Sequence, residues 1–258
     1  MQMPRRSLRK ASPHFESDKP LLSCYFPLGD PKIPLDMIDV YADQGVDVLE
    51  IGLSAVDPFM DGPDVRASMK RANSDRARAN LDAIMERLAK RTIAPKALLM
   101  GYGEAEHAGY ADAEFWAGLD SCLIVSRNND AITQQIQNTA IGAGVAPSAF
   151  IEVPLTEQGV TAAQKAAFYV MLQASAGQTG PRKVLDPESR NRITHLRAAG
   201  VSVPILLGFG ISNGMQAREA LAFGADGVIV GSQVLRAALE GPQALASLLI
   251  DLRSGLDA

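Results

Sequence analysis

The chain has 258 residues, of which 47% are hydrophobic and 21% are charged, and this composition excludes a largely disordered protein. Its 25 basic and 29 acidic residues give a net charge of −4, so the overall charge gives no reason to expect nucleic-acid binding. Two cysteines and three histidines are too few for a disulfide framework or a four-thiolate zinc site, and they provide few ligands for other metal sites.

Residues 1–20 are expected to form a flexible, basic N-terminal arm. Four basic residues, Arg5, Arg6, Arg9 and Lys10, lie in its first half, but it lacks the apolar segment of a secretory signal. No apolar run in the chain is long enough to span a bilayer. Together with the free cysteines, these features predict a cytoplasmic protein that does not associate with membranes.

From residue 21 onward, short apolar segments alternate with longer segments of helical period. The apolar segments predict eight strands, which in chain order span residues 21–26, 46–52, 96–100, 121–125, 148–153, 168–172, 205–208 and 227–230. The other segments predict helices over residues 36–44, 74–91, 113–117, 132–141, 162–167, 188–199, 214–223, 233–239 and 243–253. Glycines such as Gly45, Gly200 and Gly224 follow these helices directly, as C-terminal caps do.

The strand pattern favours one particular α/β architecture. Nearly continuous apolar strands are typical of a parallel sheet that is covered on both faces. Eight βα units in about 250 residues correspond to a (β/α)8 TIM barrel, so we predict a single TIM-barrel catalytic domain over residues 21–258. A doubly wound open sheet is the competing architecture, but it usually has fewer strands.

Two glycine-rich segments follow the seventh and eighth predicted strands. Gly208, Gly210 and Gly231 would let backbone N–H groups approach an anion, and the start of a helix before Gln233 would add unpaired donors. Ser232 can contribute a hydroxyl donor. Such glycines can also serve only as turns and caps, but two such loops at the same end of a barrel favour a phosphorylated ligand. A dinucleotide is not indicated, because no G-x-G-x-x-G follows the first strand.

The second predicted strand carries an acidic residue near its carboxyl end. Val46, Val48 and Glu50 share one parity, so Glu50 faces the barrel interior if the valines do. Apolar walls would disfavour the charged carboxylate and so suit proton transfer near neutrality. The next loop supplies Asp57 and Asp61. Asp57 precedes a proline and is typical of a turn, whereas Asp61 fits a turn and a functional role equally well.

These residues, in this order, resemble the tryptophan synthase α subunit family, also called indole-3-glycerol-phosphate lyase. The resemblance runs from about residue 21 to the C-terminus. The motifs that carry it are Leu28-Gly29-Asp30-Pro31, Glu50-Ile51-Gly52, Asp57-Pro58, Asp61-Gly62-Pro63, Gly177-Gln178-Thr179-Gly180, Gly208-Phe209-Gly210-Ile211-Ser212 and Gly231-Ser232. Each motif alone is weak, but together they are specific.

The resemblance implies a lyase of tryptophan biosynthesis, or of a related indole pathway. It would cleave indole-3-glycerol phosphate by a retro-aldol reaction to indole and glyceraldehyde 3-phosphate, without a metal or organic cofactor. Glu50 would be the general acid/base, and Asp61 would accept a hydrogen bond from the indole N–H and be engaged by Thr179 when the site closes. The resemblance assigns the phosphate to Gly180, Gly210, Gly231 and Ser232. It assigns the indole pocket to Tyr25, Leu99 and Phe209, with Met171 at a position that is aromatic in the family.

Two alternatives to this function remain open from the sequence. Because Met171 alters the indole wall, a divergent lyase or aldolase could act on another phosphorylated substrate. The other class is a non-catalytic regulator of a tryptophan synthase β-type partner, against which the retained Glu50 and Asp61 argue. Segments that meet the β subunit in the family differ here, as at Ser126-Arg127-Asn128, which weakens the expectation of such a partner.

Overall fold

The computed structural model describes residues 14–15, 19–103, 109–127, 131–175, 177 and 184–258. Within these residues the strands are Leu21–Pro27 (β1), Val48–Gly52 (β2), Lys96–Tyr102 (β3), Ser121–Val125 (β4), Ala146–Pro147 (β5), Ala149–Ile151 (β6), Val170–Gln173 (β7), Ile205–Gly208 (β8) and Gly227–Val230 (β9). All pair in parallel, in the order β5-β4-β3-β2-β1-β9-β8-β7-β6. The sheet therefore curls into a nearly closed barrel, and the predicted TIM-barrel class is confirmed.

Helices alternate with the strands and cover the outside of the barrel. They are Met37–Asp43 (α1), Pro63–Arg71 (α2), Ala77–Ala89 (α3), Ala131–Gly142 (α4), Glu157–Lys165 (α5), Ser189–Ala198 (α6), Gly214–Ala222 (α7), Ser232–Glu240 (α8) and Pro242–Leu256 (α9). Short 3-10 turns cover Ser74–Arg76 and Ala113–Trp116, so the helices predicted over 74–91 and 113–117 are partly or wholly 3-10. None of the described helices is both long and apolar enough to cross a membrane.

The fifth barrel strand is split, which explains why nine strand segments build an eight-stranded barrel. Ser148 lies between β5 and β6, and its amide donates to the Cys122 carbonyl at 2.8 Å. β5 pairs with β4, whereas β6 pairs with β7 on the other side. The strand predicted over 148–153 therefore corresponds to β6 alone, and β5 is an additional short piece just before Ser148 that the prediction did not include.

The sequence analysis missed α2, which follows the loop that carries Asp61. The sequence Asp61-Gly62-Pro63 is typical of a turn, but Pro63 occupies the first helical position, where its missing N–H costs nothing. The helix has few apolar residues, and Val65 and Met69 are the only large ones it buries. This short apolar face is too weak to predict a helix from periodicity, yet it packs α2 beside the barrel mouth.

A Gly-x-Asp motif recurs where the chain enters three strands, at residues 45–47, 118–120 and 224–226. The three glycines have φ values of +75°, +83° and +98°, which side-chain-bearing residues rarely adopt. Each aspartate accepts a hydrogen bond from an amide of the preceding barrel strand: Asp47 from Leu22, Asp120 from Ala97 and Asp226 from Ile205, at 2.8–2.9 Å. Each also pairs with a cation, namely Arg253, Lys96 and Arg197 respectively. The motif therefore links adjacent strands at the amino-terminal end of the barrel.

Only part of the expected N-terminal arm lies among the described residues, since 1–13 and 16–18 fall outside them. The rings of His14 and Phe15 lie 5.2 and 4.9 Å from the ring of Phe168. The Lys19 ammonium pairs with the Asp47 carboxylate at 3.2 Å. The end of the arm thus contacts the barrel just ahead of β7 and β2.

Candidate active site

Strand register brings the inward-facing residues of β1, β2 and β3 to one cavity at the carboxyl end of the barrel. Tyr25 pairs with Glu50, and Gly52 pairs with Met100. Because side chains alternate along a strand, Tyr25, Glu50 and Met100 share the interior face. The cavity walls are largely apolar and include Met60, Met100, Leu123, Phe150, Met171 and Phe209. A hydrophobic ligand that carries a few polar groups fits such a lining.

Glu50 lies in this cavity as strand parity predicts, and only 2% of its surface is exposed. The Tyr169 hydroxyl donates a hydrogen bond to Glu50 Oε1 at 3.0 Å. Burial raises the pKa of Glu50 from 4.5 to about 7, with the charge of Asp61 adding to the rise and the Tyr169 hydrogen bond opposing it. A carboxyl group that titrates near neutrality can both give and take a proton.

Asp61 also lines the cavity, and 4% of its surface is exposed. The Tyr102 hydroxyl donates to Asp61 Oδ2 at 2.6 Å. Burial and the neighbouring Asp61 charge raise the pKa of Tyr102, so the phenol remains protonated and serves as a donor. From α2, Arg66 Nε donates to the Asp61 carbonyl at 2.8 Å. Side chain and backbone of Asp61 are therefore both held.

Arg127, after β4, clamps the loop between β2 and α2. Its guanidinium pairs with Asp57 at 2.8 Å and lies 3.9 Å from the centre of the Phe59 ring. The Phe59 ring in turn packs edge-on against the Tyr102 ring at 5.1 Å. Asp57 itself is largely exposed and does not line the cavity. It therefore acts on the loop that presents Asp61 rather than on the cavity.

Asp30, in the loop after β1, fixes the position of α2. It is buried and accepts hydrogen bonds from Ser68 Oγ at 2.5 Å and from Arg71 Nε and Nη2 at 3.0 and 2.5 Å. Burial disfavours its charge, but the hydrogen bonds from Arg71 and Ser68 outweigh that effect, and the pKa of Asp30 is lowered. The aspartate of the Leu28-Gly29-Asp30-Pro31 motif is thus a structural anchor for the helix beside the cavity.

The opposite side of the cavity has the features of an anion site. Gly231 precedes α8 and offers no side-chain cap, so the first N–H groups of this helix are unpaired within it. The Ser232 hydroxyl is buried, and no described residue hydrogen-bonds to it. Gly210 has φ +112°, and Phe209 has φ +69°, a strained value for a residue with a side chain. Gly210, Gly231 and Ser232 all line the cavity.

The structure brings together most of the residues singled out from the sequence. The cavity is lined by Tyr25, Glu50, Asp61, Met171, Phe209, Gly210, Gly231 and Ser232. Leu99 does not line it, and this expectation is corrected: the register that pairs Met100 with Gly52 turns Leu99 towards the outer face of β3. Thr179 and Gly180 lie outside the described residues.

Sequence analysis did not single out Tyr169 or Tyr102, which are the hydrogen-bond donors to the two carboxylates. Tyr169 stands two residues before Met171 and so shares its face, a signal that the sequence does contain. Tyr102 lies beyond the predicted end of the third strand at residue 100, whereas β3 extends to Tyr102. That two-residue error removed it from the predicted strand top.

Comparison with known proteins agrees with this geometry. The family model described as tryptophan synthase alpha chain matches residues 14–253. The tryptophan synthase alpha chain of Pelobacter propionicus is 30% identical over 223 residues, covering 83% of this chain and 82% of that relative. That of Geobacter sp. strain M21 is 31% identical, covering 91% of this chain and 89% of the relative.

Solved structures show the same fold. A structure of Mycobacterium tuberculosis tryptophan synthase superposes with a TM-score of 0.79 at 23% identity, covering 93% of this chain and 94% of that one. Tryptophan synthase subunit alpha from Legionella pneumophila gives a TM-score of 0.76 at 24% identity, covering 92% and 93%. With the family match spanning nearly the whole chain, the protein belongs to the tryptophan synthase alpha chain family.

Proposed function

We propose that the protein is a carbon–carbon lyase that cleaves indole-3-glycerol phosphate to indole and glyceraldehyde 3-phosphate, the reaction of the family to which it belongs. The observation that carries this proposal is a pair of buried carboxylates, Glu50 and Asp61, in one apolar cavity that ends at a helix N-terminus with no side-chain cap among the described residues. The substrate has matching parts: an indole ring, a polar glycerol chain and a phosphate.

Substrate placement follows from the chemistry of the cavity walls. The phosphate lies at Gly210, Gly231 and Ser232, where backbone N–H groups and a hydroxyl can bind it. The indole ring lies among the apolar walls, with its N–H directed to the Asp61 carboxylate. Three of these walls are methionines, Met60, Met100 and Met171, whose unbranched side chains adapt to the ring.

Glu50 performs both proton transfers of the retro-aldol reaction. The protonated carboxyl gives its proton to indole C3, which places positive charge on the ring nitrogen beside Asp61. The carboxylate then takes the proton of the hydroxyl on the carbon attached to C3. The C–C bond breaks, its electron pair returns to the ring, and the oxygen becomes the aldehyde of glyceraldehyde 3-phosphate. Glu50 is then protonated again, and a pKa near 7 suits both steps.

The test is incubation of the purified chain with indole-3-glycerol phosphate, with and without a tryptophan synthase β subunit, while both products are measured. We expect indole and glyceraldehyde 3-phosphate in equal amounts from the chain alone. Glu86→Gln, an exposed carboxylate on α3, is the matched control for Glu50→Gln and should retain activity. If neither product forms, both with and without the β subunit, indole-3-glycerol phosphate is not the substrate. A wild-type chain that forms no indole but stimulates a β subunit, and does so equally well as Glu50→Gln, would instead favour a regulator.

A further inference from the structure

The Tyr25 hydroxyl is a buried polar group in the cavity that the two-carboxylate mechanism does not use. Tyr25 is 2% exposed and lines the cavity, and no described residue hydrogen-bonds to its hydroxyl. A buried hydroxyl without a partner is destabilising, so it calls for an explanation, such as a ligand that satisfies it.

The position of this hydroxyl follows from β1 and β2. Tyr25 and Glu50 are register partners and face the same cavity. Gly52 lies two residues beyond Glu50, about 6.6 Å along the strand and on the same face. A methyl group built on Gly52 would lie 2.5 Å from the Tyr25 hydroxyl oxygen and 2.1 Å from its ring. The phenol therefore leans along β2 into the space that Gly52 leaves, and its oxygen lies above Glu50 towards the barrel mouth.

The protonation of Tyr25 suits a hydrogen-bond donor. Burial, followed by the charges of Asp61 and Glu50, raises the pKa of Tyr25 well above its usual value. The phenol therefore keeps its proton at neutral pH. The backbone at Tyr25 is also held, because the Tyr41 hydroxyl donates to the Tyr25 carbonyl at 3.0 Å. Because the ring is buried in the cavity wall, the donor is positioned before any substrate binds.

We propose that the Tyr25 hydroxyl donates a hydrogen bond to the glycerol oxygen whose proton Glu50 removes. This inference rests on the proposed function. This glycerol oxygen must lie within hydrogen-bond reach of Glu50. The Tyr25 hydroxyl lies on the same wall of the cavity, at the level of Gly52, which is closer to the barrel mouth than Glu50. As the proton leaves, negative charge grows on the oxygen, and a donor already in place stabilises it without reorganisation. Tyr25 is therefore a catalytic residue that contributes chiefly in the transition state.

The test is steady-state kinetics of Tyr25→Phe with indole-3-glycerol phosphate, with Tyr110→Phe as the matched control. Tyr110 is also a buried tyrosine, but it does not line the cavity. For Tyr25→Phe we expect kcat to fall about 10- to 100-fold with KM within about threefold of wild type, the pattern of a contact made in the transition state. For Tyr110→Phe we expect kcat within about twofold of wild type.

Two further measurements separate a lost contact from a damaged pocket. The dideoxy analogue 3-(indol-3-yl)propyl phosphate lacks the target oxygen, so its Kd should agree within about twofold between wild type and Tyr25→Phe. Without ligand, Tyr25→Phe should melt at or above the wild-type temperature, because it loses a hydroxyl that has no partner among the described residues. A weaker Kd for the analogue or a lower melting temperature would mean that the hydroxyl supports the pocket, contrary to the inference.

The kinetic outcomes also separate this inference from the proposed function. An active wild type whose kcat is unchanged in Tyr25→Phe, or whose loss appears only in KM, overturns the role of Tyr25 alone. A wild type that forms no indole overturns the proposed function and this inference with it.

Discussion

Replacement of Glu50 by Gln should stabilise the protein at alkaline pH while it abolishes catalysis. The pKa of Glu50 is raised from 4.5 to about 7 in the folded protein, chiefly by burial. At about 1.36 kcal/mol per pKa unit, the fold bears a cost of about 3 kcal/mol above pH 7, where this carboxylate is charged. Gln has the shape of the protonated acid, carries no charge and can still accept the Tyr169 hydrogen bond at its amide oxygen.

The sign of this effect depends on pH. A carboxyl group whose pKa is raised by folding contributes its full stability below about pH 4.5 and loses it as the pH rises through about 7. We therefore expect Glu50→Gln to exceed wild type in the free energy of unfolding by about 3 kcal/mol at pH 8 and by less than about 1 kcal/mol at pH 5.

Urea titrations at the two pH values, followed by circular dichroism, measure this difference. The exposed Glu86→Gln should show none at either pH. If Glu50→Gln were no more stable than wild type at pH 8, Glu50 would not be a buried acid with a raised pKa. The same would follow if its gain in the free energy of unfolding were equal at pH 5 and pH 8.

Three other predictions concern the side chains around the carboxylates. Tyr169→Phe removes the hydrogen bond that favours the charged form of Glu50, so the midpoint of the pH–rate profile should move upward by about one pH unit. A midpoint that stays in place or moves downward would contradict the effect of Tyr169 on the pKa of Glu50. Arg127→Ala removes the ion pair and the cation–π contact that clamp the loop carrying Phe59, so kcat should fall about 3- to 10-fold. Arg127→Lys should recover part of this activity. Equal activity of wild type, Arg127→Ala and Arg127→Lys would reject the clamp. Asp30→Asn should lower the free energy of unfolding, measured in urea at neutral pH, by about 2–3 kcal/mol. Because the pKa of Asp30 is lowered in the fold, the difference between the variant and wild type should narrow as the pH falls below 3.8. A difference that persists in acid would contradict the role of Arg71 as the partner that anchors Asp30.

The strand pattern of this sequence carries most of the information about the barrel. Glu50 could be placed in the cavity because β2 is continuous, so parity alone decides which face it takes. Leu99 could not be placed in the same way. Leu98, Leu99 and Met100 are all apolar and buried, so only the register against β2 distinguishes the inner face from the outer.

Contacts between distant loops were not predictable from local patterns. The clamp formed by Arg127 on Asp57 and Phe59 joins segments about 70 residues apart, and neither segment has a periodicity that points to the other. α2 was missed for a related reason, because its position depends on Asp30 in another loop rather than on a strong apolar face. Sequence analysis thus placed both acids, with Gly210 and Gly231, at the cavity, but it did not predict the groups that hold the acids in place.

The central claim is that Glu50 carries both proton transfers in a cavity built for indole-3-glycerol phosphate. The most direct test is the rate of indole formation by wild type, Glu50→Gln and Glu86→Gln between pH 6 and pH 9. We predict that Glu50→Gln loses at least about 1,000-fold in kcat at every pH, since the mechanism assigns both transfers to Glu50, while Glu86→Gln follows wild type. Retention of more than about a tenth of the wild-type rate by Glu50→Gln would contradict the claim.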